Sequence, residues 1–286
     1  MPGMSDDQGR HRGEIGTMRD DIGGVDTGAG GTWASGDYAR VGNRWLLVGE
    51  LLCETAGIRP GERVIDVATG TGNTALAAAR RFADVTGVDY VPALLEHARA
   101  RAAAEGLDVR FEHGDALELA HPDGAFDVAV STFGVQYVPD QERAAAELLR
   151  VVRPGGRIAL ASWAPDGYLG ELLRLVGRYT AGASGDAAPT RWGTAKHLER
   201  LLGPHASSLE CAERQWRFRF RSPADMIGYF RAYFGPLTVA FDVLDDAGRE
   251  ALTADLTRHI EAAGAAPGGT VEVPSTYLEA VAVLAS

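Results

Sequence analysis

Residues 64–76 read VIDVATGTGNTAL, and this stretch constrains the fold more than any other part of the chain. The branched apolar residues at its start predict a buried β-strand, and its alanine-rich continuation predicts a helix. The glycines between them let the backbone turn sharply and approach a ligand closely. A strand, a glycine turn and a helix in that order predict the first unit of an α/β sheet, with polar or anionic groups favoured at the helix N-terminus.

The alternation of strands and helices continues to Trp163. Four more short branched-apolar runs follow the first, namely VTGVDY, VRFEHGD, FDVAVSTF and RIALASW. Such runs with helical stretches between them predict a parallel sheet that is covered by helices on both faces. Before the first strand, apolar residues recur at helical spacing and predict a helix over one edge of the sheet; these are Trp45, Leu46, Leu47, Leu51 and Leu52.

The glycine turn is compatible with two nucleotide cofactors. The sequence GTGNTA at residues 70–75 fits the G-x-G-x-x-G/A pattern of a dinucleotide-binding turn. Asp66, inside the end of the first strand, suits a cationic amino group better than a pyrophosphate. Asp89 ends the second strand, where a carboxylate accepts hydrogen bonds from ribose hydroxyls in either case. Asp115 follows the third strand and is suited to an adenine amino group, whereas NAD-binding folds require no acid there.

Charge and composition favour a small molecule as the partner. A net charge of -11 and a sequence pI near 5.1 argue against a nucleic-acid backbone or an anionic membrane surface. No apolar run approaches the roughly 18 residues that a membrane span needs, and the N-terminus lacks the apolar core of a signal peptide, so we expect a cytoplasmic protein without membrane insertion. Cys53 and Cys211 share no metal-ligand spacing, and no metal is implied.

Several elements together resemble the class I S-adenosylmethionine-dependent methyltransferases. They occur in that family's order and spacing, and they are Asp66-x-Ala68-x-Gly70-x-Gly72, Asp89, Gly114-Asp115, FDVAVSTFGVQYVPD and RVVRPGGRIALASW. The resemblance covers residues 33–163. It is greatest to small-molecule methyltransferases of quinone and natural-product biosynthesis, whose W-x-x-G-D-Y stretch is similar to residues 33–38. Ala68 departs from the pattern, since many members have glycine there, and its methyl group is tolerable if the residue keeps a negative φ.

The resemblance implies an α/β fold with a doubly wound, seven-stranded, mostly parallel sheet in the order 3-2-1-4-5-7-6 and a helical substrate cap. CAERQWRFRF is then the sixth strand and the STYLEAVAVLA region the reversed seventh. Helices between Pro223 and Ala266 form the cap, where aromatic residues at helical spacing are suited to roof a substrate pocket. The expected organisation is a flexible leader (1–31), a Rossmann-like cofactor-binding core (32–165) and a C-terminal part (166–286) that completes the sheet and carries the cap.

The resemblance also implies which residues bind S-adenosylmethionine. The twelve expected residues are Trp33, Tyr38, Asp66, Ala68, Gly70, Gly72, Asp89, Tyr90, Asp115, Ala116, Ser131 and Gln136. Asp66 and the turn glycines are assigned to the methionine part, which Ser131 borders. Asp89 is assigned to the ribose, and Asp115 with Ala116 to the adenine.

The remaining residues of that set have less specific assignments. Tyr90 is expected along the adenine face, and Gln136, with its neighbour Tyr137, towards the transferred methyl group. Trp33 and Tyr38 are expected to form a lid over the cofactor. Ordinary packing explains each of these residues about equally well.

The expected function is methyl transfer to a small, partly apolar acceptor, at oxygen, nitrogen or carbon. Transfer from a sulfonium is an in-line displacement, in which alignment and exclusion of water matter most. No catalytic side chain is assigned, although Tyr38 or His113 is a candidate base for a phenol or an amine. Two other classes stay open, namely a non-catalytic regulator that binds S-adenosylmethionine and a nicotinamide-dependent oxidoreductase. The sequence specifies neither the acceptor nor the oligomeric state.

Overall fold

The computed structural model describes Trp33 and residues 38–180, 188–264 and 266–286. The strands are β1 Arg63–Val67, β2 Asp84–Asp89, β3 Val109–His113, β4 Phe126–Thr132, β5 Val152–Trp163, β6 Ala206–Phe220 and β7 Val271–Leu284. All seven form one sheet in the order β3-β2-β1-β4-β5-β7-β6. The predicted strand order is therefore confirmed, while the predicted leader lies outside the described residues.

Strand directions in the sheet also agree with the prediction. Strands β1 to β5 are parallel to their neighbours, and β7 is antiparallel to both β5 and β6. The sequence predicted that strand β6 begins at Cys211, but it begins at Ala206, because the residues before Cys211 also pair with the end of β7. Their side chains are mostly exposed, so no apolar alternation marks this part of the strand.

Helices flank the sheet on both faces. The α-helices are α1 Tyr38–Gly42, α2 Leu46–Thr55, α3 Asn73–Ala79, α4 Pro92–Glu105, α5 Gln141–Val151, α6 Tyr168–Gly177, α7 Ala195–Leu202, α8 Pro223–Tyr233, α9 Gly235–Val243 and α10 Asp246–Gly264. Short 3-10 helices lie at Asn43–Trp45, Val135–Tyr137, Pro189–Gly193, Gly203–His205 and Pro267–Gly269. None of the helices in the described ranges is both long and apolar enough to cross a membrane.

Local sequence signals explain where several helices begin and end. Asp140 caps α5, since its side chain accepts a hydrogen bond from the Arg143 backbone N–H, and Ser222 caps α8 in the same way. Proline in the first turn of α4 and of α8 provides a φ that suits a helix start. Helix α4 ends at Gly106, whose φ of 65° is the left-handed conformation common after a helix C-terminus.

The core consists of two apolar layers, one on each face of the sheet. Val64 belongs to the layer beneath α2, α3, α4, α6 and α8 to α10. Ile65, the next residue of β1, belongs to the opposite layer beneath α5 and α7. Because successive side chains of a strand point to opposite faces, a run of apolar residues such as VI in β1 indicates burial on both sides. The sheet is thus covered on both faces, as a doubly wound fold requires.

Helix α2 covers a face of the sheet and not the predicted edge. It contacts α3 and the central strands β4 and β5. Gly49 allows a close approach to α3, since a Cβ there would lie 3.0 Å from Thr74 Oγ1. Leu47 is 56% exposed and Leu51 45% exposed, whereas Leu52 is fully buried, so only part of the apolar periodicity faces the core.

The helices expected to form the cap between Pro223 and Ala266 are three, α8 to α10. Phe234 has φ -102° and ψ 103°, which is extended, and it interrupts the chain between α8 and α9. Pro236 in the first turn of α9 then begins a new helix. Helix α8 contacts β6, while α9 and α10 contact α6, so the cap lies on the face that carries the larger apolar layer.

Candidate functional site

A cavity of about 280 Å³ opens beyond the carboxyl ends of β1 to β4. Ligands of open α/β sheets bind at this edge of the sheet. Eight of the twelve predicted residues line it, namely Trp33, Tyr38, Ala68, Gly70, Asp89, Tyr90, Asp115 and Ala116. The lining also includes Phe133 and Gly134. Neither was predicted, although both lie in the FDVAVSTFGVQYVPD stretch that contributes to the family resemblance.

The glycine turn after β1 forms one wall of the cavity. Gly70 and Gly72 have φ values of 56° and 83°, which glycine adopts without the steric strain of a side chain. Ala68 has a φ of 55°, so the expectation that it keeps a negative φ is wrong. A left-handed alanine is strained by about 1 kcal/mol, and the surrounding structure must hold it there.

Gly134 provides the space that Ala68 needs. A Cβ at Gly134 would lie 2.5 Å from the Ala68 carbonyl oxygen and 2.8 Å from the Ala68 Cβ. The backbone after β4 therefore approaches the turn after β1 so closely that no side chain fits at residue 134 without a shift of the backbone. This crowding is tertiary and involves residues far apart in the chain, so the local sequence around Ala68 does not reveal it.

Asp66 lies behind the turn and does not line the cavity. Its Oδ2 accepts hydrogen bonds from Thr69 Oγ1 at 2.6 Å and from the Ala75 backbone N–H at 2.9 Å. The residue is 1% exposed, and burial raises the pKa of its carboxyl to about 7 against the opposing effect of these two bonds. Asp66 thus ties the turn to the start of α3, and its assignment to the methionine part stays a prediction.

Three other predicted residues also lie outside the lining. Gly72 packs against α4 and β3, since a Cβ there would lie 3.1 Å from Ala98 and Phe111 atoms. Ser131 Oγ donates to the Val67 carbonyl at 2.7 Å and accepts from a backbone N–H of the following 3-10 helix. Gln136 Oε1 accepts from the Trp163 backbone N–H at 2.8 Å. These contacts support the walls, and direct binding by Gly72, Ser131 and Gln136 remains a prediction.

Asp89 presents an oriented carboxylate to the cavity. Its Oδ2 accepts from the Gly70 backbone N–H at 2.8 Å, and its Oδ1 accepts from the Val91 backbone N–H at 2.9 Å. Burial raises the pKa of the carboxyl, although these backbone bonds act in the opposite direction. Each carboxylate oxygen keeps a further lone pair, so Asp89 can accept additional hydrogen bonds from a ligand.

One end of the cavity is polar and partly open. Asp115 is exposed and its Oδ1 accepts from the Leu117 backbone N–H at 2.8 Å, while Ala116 beside it is buried. Tyr90 lines the same end, and burial raises the pKa of its hydroxyl. His113, a candidate base, is exposed and hydrogen-bonded to the Tyr90 carbonyl at 3.1 Å, and it does not belong to the lining.

Aromatic side chains also line the cavity. The Trp33 ring lies 4.7 Å from that of Tyr137 and 5.4 Å from that of Tyr38, measured between centroids. Phe133 also belongs to the lining and stacks on Trp163, with 3.9 Å between the ring centroids. Burial raises the pKa of both tyrosine hydroxyls, so both stay protonated at neutral pH.

The charges of the lining residues are of one sign. Asp89 and Asp115 are acidic, and none of the described lining residues is Arg, Lys or His. Such a cavity is electrostatically suited to a cationic or neutral ligand and unsuited to a pyrophosphate. In the part of the chain that the structure describes, no group of three His, Cys, Asp or Glu side chains is placed to hold a metal ion.

The fold and the site are typical of nucleotide-binding α/β proteins. Comparisons with known proteins identify the family within this class. Residues 64–156 match the family model described as a methyltransferase domain. The chain is 35% identical over 179 residues to a demethylmenaquinone methyltransferase of Deinococcus radiodurans, covering 60% of this chain and 74% of that protein. It is also 37% identical over 231 residues to an uncharacterized protein of Mycobacterium tuberculosis, covering 80% of this chain and 84% of that protein.

A solved structure supports the fold. A putative methyltransferase from Bacillus halodurans superposes with a TM-score of 0.59 at 20% identity, covering 83% of this chain and 99% of that chain. The chain belongs to the class I S-adenosylmethionine-dependent methyltransferases. It is an enzyme of that family, and S-adenosylmethionine is its cofactor.

Proposed function

We propose that the cavity binds S-adenosylmethionine and that the enzyme methylates a small, partly apolar acceptor at its aromatic end. The observation that carries this proposal is that one cavity is lined both by two carboxylates, those of Asp89 and Asp115 (its acidic end in this proposal), and by uncharged rings, those of Trp33, Tyr38, Phe133 and Tyr137 (its aromatic end). The acidic end suits the hydroxyl and amino groups of an adenosine. The aromatic end suits a sulfonium, because aromatic faces attract cations.

The proposed cofactor contacts follow from the hydrogen-bonding groups on the cavity wall. Asp89 accepts hydrogen bonds from the ribose hydroxyls, since its orientation is fixed by the Gly70 and Val91 backbone amides. Asp115 and the Ala116 backbone meet the adenine edge, and Tyr90 lies along its face. Gly70 and Ala68 border the methionine part, and Asp66, Gly72, Ser131 and Gln136 act from behind the wall.

Alignment and exclusion of water are the enzyme's proposed contributions to the reaction. When bound, the cofactor supplies an electrophilic methyl group on a positively charged sulfur. Trp33, Tyr38, Phe133 and Tyr137 surround the end where an acceptor would approach, and they keep water away from it. In a water-poor site, a nucleophile held in line with the methyl group reacts without a large contribution from any one side chain.

Neither of the two candidate bases among the described residues is placed and ionised to act in the cavity at neutral pH. Tyr38 was a candidate, but its raised pKa keeps the hydroxyl protonated and makes the phenolate a minor species. His113 lies outside the lining. We therefore propose an acceptor whose nucleophile ionises on its own or is a neutral amine or carbon centre.

The acceptor is proposed to be flat and largely apolar, because rings line the end of the cavity where it enters. The relative from Deinococcus radiodurans is by name a demethylmenaquinone methyltransferase, which supports an acceptor of quinone-like character. A net charge of -11 also favours a small molecule over a nucleic acid. A cytoplasmic location is part of the same proposal.

The two other functions that the sequence left open are not favoured. A nicotinamide-dependent oxidoreductase would bring a pyrophosphate next to Asp89 and Asp115 with no basic group in the described lining to neutralise it. A non-catalytic regulator conflicts with membership of an enzyme family that includes a named methyltransferase.

Calorimetric titration tests the cofactor site directly. The wild type, Asp89→Asn and Asp84→Asn are titrated with S-adenosylmethionine, S-adenosylhomocysteine and NAD. Asp84 is a matched control because it lies at the opposite end of β2, half-exposed and paired with Arg110. We expect both adenosyl ligands to bind the wild type and the control, and to bind Asp89→Asn about tenfold more weakly, as the loss of charged hydrogen bonds predicts. Binding of NAD alone would overturn the proposal.

A further inference from the structure

Asn73 joins three separate elements through one side chain. It is the first residue of α3 and follows directly on the glycine turn. Its Nδ2 donates to the Gly42 carbonyl of α1 at 2.8 Å, and its Oδ1 accepts from Arg101 Nη1 of α4 at 2.6 Å. The same Arg101 nitrogen donates to the Thr71 carbonyl within the turn at 2.6 Å. With both ends of its amide engaged, Asn73 has a single orientation.

Helix α1 is held between the cofactor turn and the cap. At its far side the Tyr229 hydroxyl of α8 donates to the Arg40 carbonyl at 2.6 Å and accepts from Arg44 Nε at 3.2 Å. The Arg44 guanidinium lies 4.5 Å from the Tyr229 ring centroid, and that of Arg40 lies 5.1 Å from the Tyr233 ring. These contacts join α1 to the first cap helix.

The near side of α1 lies against the cavity. Tyr38 belongs to the lining, and its ring is so close to the turn that a Cβ at Gly70 would lie 3.6 Å from it. A Cβ at Gly42 would lie 3.6 Å from Thr71 Oγ1. By contrast, none of the described lining residues comes from α8, α9 or α10. A ligand in the cavity can therefore affect the cap through α1, which contacts both, or through the lining residue Trp33, whose ring lies 6.0 Å from that of Phe234 between α8 and α9.

We propose that Asn73 is a positioning residue that fixes α1 against the cofactor turn, so that cofactor binding is transmitted to the substrate cap. The proposal rests on the proposed binding of the cofactor in the cavity. A ligand that orders the turn and Tyr38 also restricts α1, and α1 restricts α8 through Tyr229 and the arginines. A second ligand then meets a cap that is already ordered, which gives coupling between the cofactor and acceptor sites.

Amide hydrogen exchange with S-adenosylhomocysteine as the probe measures this transmission without knowledge of the acceptor. In the wild type we expect slower exchange both in residues 85–95, which contact the ligand, and in residues 223–234 of the cap. At a ligand concentration about 100 times Kd, linkage allows a slowing of up to about 100-fold. In Asn73→Asp we expect the slowing of residues 85–95 to persist and that of residues 223–234 to fall to less than a third.

Asparagine to aspartate changes one end of the side chain only. The shape stays the same, the acceptor for Arg101 remains, and an acid in the first turn of α3 is favourable to the helix. The substitution removes the Nδ2 donor to the Gly42 carbonyl. A carboxylate oxygen takes its place and repels the carbonyl oxygen. We expect the thermal midpoint of unfolding to stay within about 3 °C of the wild type, which separates lost transmission from general destabilisation.

Tyr229→Phe breaks the same connection at the other end, and it is far from the cavity. It removes the hydrogen bonds to Arg40 and Arg44 and keeps the ring that faces the guanidinium. It is expected to bind S-adenosylhomocysteine normally and to lose the cap response, and it decides the test if Asn73→Asp binds too weakly or fails to fold.

The possible failures are distinguishable. If the wild type does not bind S-adenosylhomocysteine in the calorimeter, the proposed function fails. If binding is normal but the wild-type cap shows no slowing, or if the variants keep it, the role of Asn73 is overturned. Retention in both variants would point instead to a route through aromatic rings. One such route is the contact of Trp33 with Phe234, and another runs from Phe133 through Trp163 to Phe218 and Phe230.

Discussion

Replacing Gly134 by alanine should damage the cofactor turn through a contact between distant residues. Gly134 has φ -101° and ψ -69°, a conformation open to any residue, so the substitution introduces no backbone strain of its own. Its added Cβ would lie 2.5 Å from the Ala68 carbonyl oxygen, 2.8 Å from the Ala68 Cβ and 3.1 Å from Ser131 Oγ. Two of the three nearest contacts are thus to the residue that already has a strained, left-handed backbone.

The expected loss of stability is about 1–3 kcal/mol, the usual effect of an extra carbon in a well-packed region. The turn must move away from β4, and with it Gly70, whose N–H orients Asp89. Gly134→Ala should therefore also weaken binding of S-adenosylhomocysteine by about tenfold, which corresponds to roughly 1.4 kcal/mol.

Ala68→Gly provides the matched partner for a double-mutant cycle. Alone, the substitution removes about 1 kcal/mol of backbone strain from the folded state. It also increases the conformational entropy of the unfolded chain by a comparable free energy, so the free energy of unfolding should be nearly unchanged. Combined with Gly134→Ala it removes the 2.8 Å contact and lets the Ala68 carbonyl shift. The double variant should recover about 1 kcal/mol of the loss.

Urea unfolding of the wild type, the two single variants and the double variant measures all four free energies. Linear extrapolation with a common m value gives the coupling between the two sites. If the two effects add within about 0.5 kcal/mol, the crowding between Ala68 and Gly134 is not the source of the loss, and the account of the left-handed turn is incorrect.

Three further predictions test individual charges and hydroxyls. Asp66→Asn should become more stable relative to the wild type as pH rises. The carboxyl of Asp66 has a pKa of about 7 in the folded state and a lower pKa in the unfolded state, so the free energy of unfolding of the wild type falls by roughly 2 kcal/mol between pH 5 and 7. Unfolding of both proteins at these two pH values measures the difference. Tyr137→Phe should keep methyl transfer within about threefold of the wild type, because a hydroxyl with a raised pKa is not a base; a loss of 100-fold in kcat would contradict this. Asp127→Asn should destabilise the protein at pH 7 by about 1 kcal/mol, since Arg63 and Arg153 both bond this carboxylate and lower its pKa, and the difference should vanish in acid as the wild-type carboxyl is protonated.

The sequence was sufficient to predict the sheet because its signals there are local and repeated. Five branched-apolar runs separated by helices predict parallel strands, and the family resemblance adds the reversed seventh strand. The start of β6 and the position of the break between the first two cap helices were not predicted, for different reasons. The first five residues of β6 lie at the exposed end of the sheet without apolar alternation, and the interruption at Phe234 depends on one residue's backbone conformation.

The cavity was predicted less completely, because its shape depends on contacts between strand ends. Asp89 and Asp115 could be assigned from their places after β2 and β3, since parallel strands bring their carboxyl ends to one edge. The conformation of Ala68 could not, since it results from the approach of Gly134. Phe133 was missed because its role depends on stacking over Trp163, a residue of the neighbouring strand.

The residues behind the cavity wall hold the backbone segments that form it. Asp66 holds the turn to α3, Ser131 holds β4 to β1, and Asn73 holds the turn to α1. Each acts through hydrogen bonds that fix a backbone segment, and Asp89 in turn depends on that backbone, because the Gly70 N–H orients its carboxylate. A substitution of Asp66 or Ser131 should therefore weaken cofactor binding by displacing Gly70 and Asp89 together, so its effect should be non-additive with Asp89→Asn. Independent effects would mean that the orientation of the carboxylate does not depend on the Gly70 N–H.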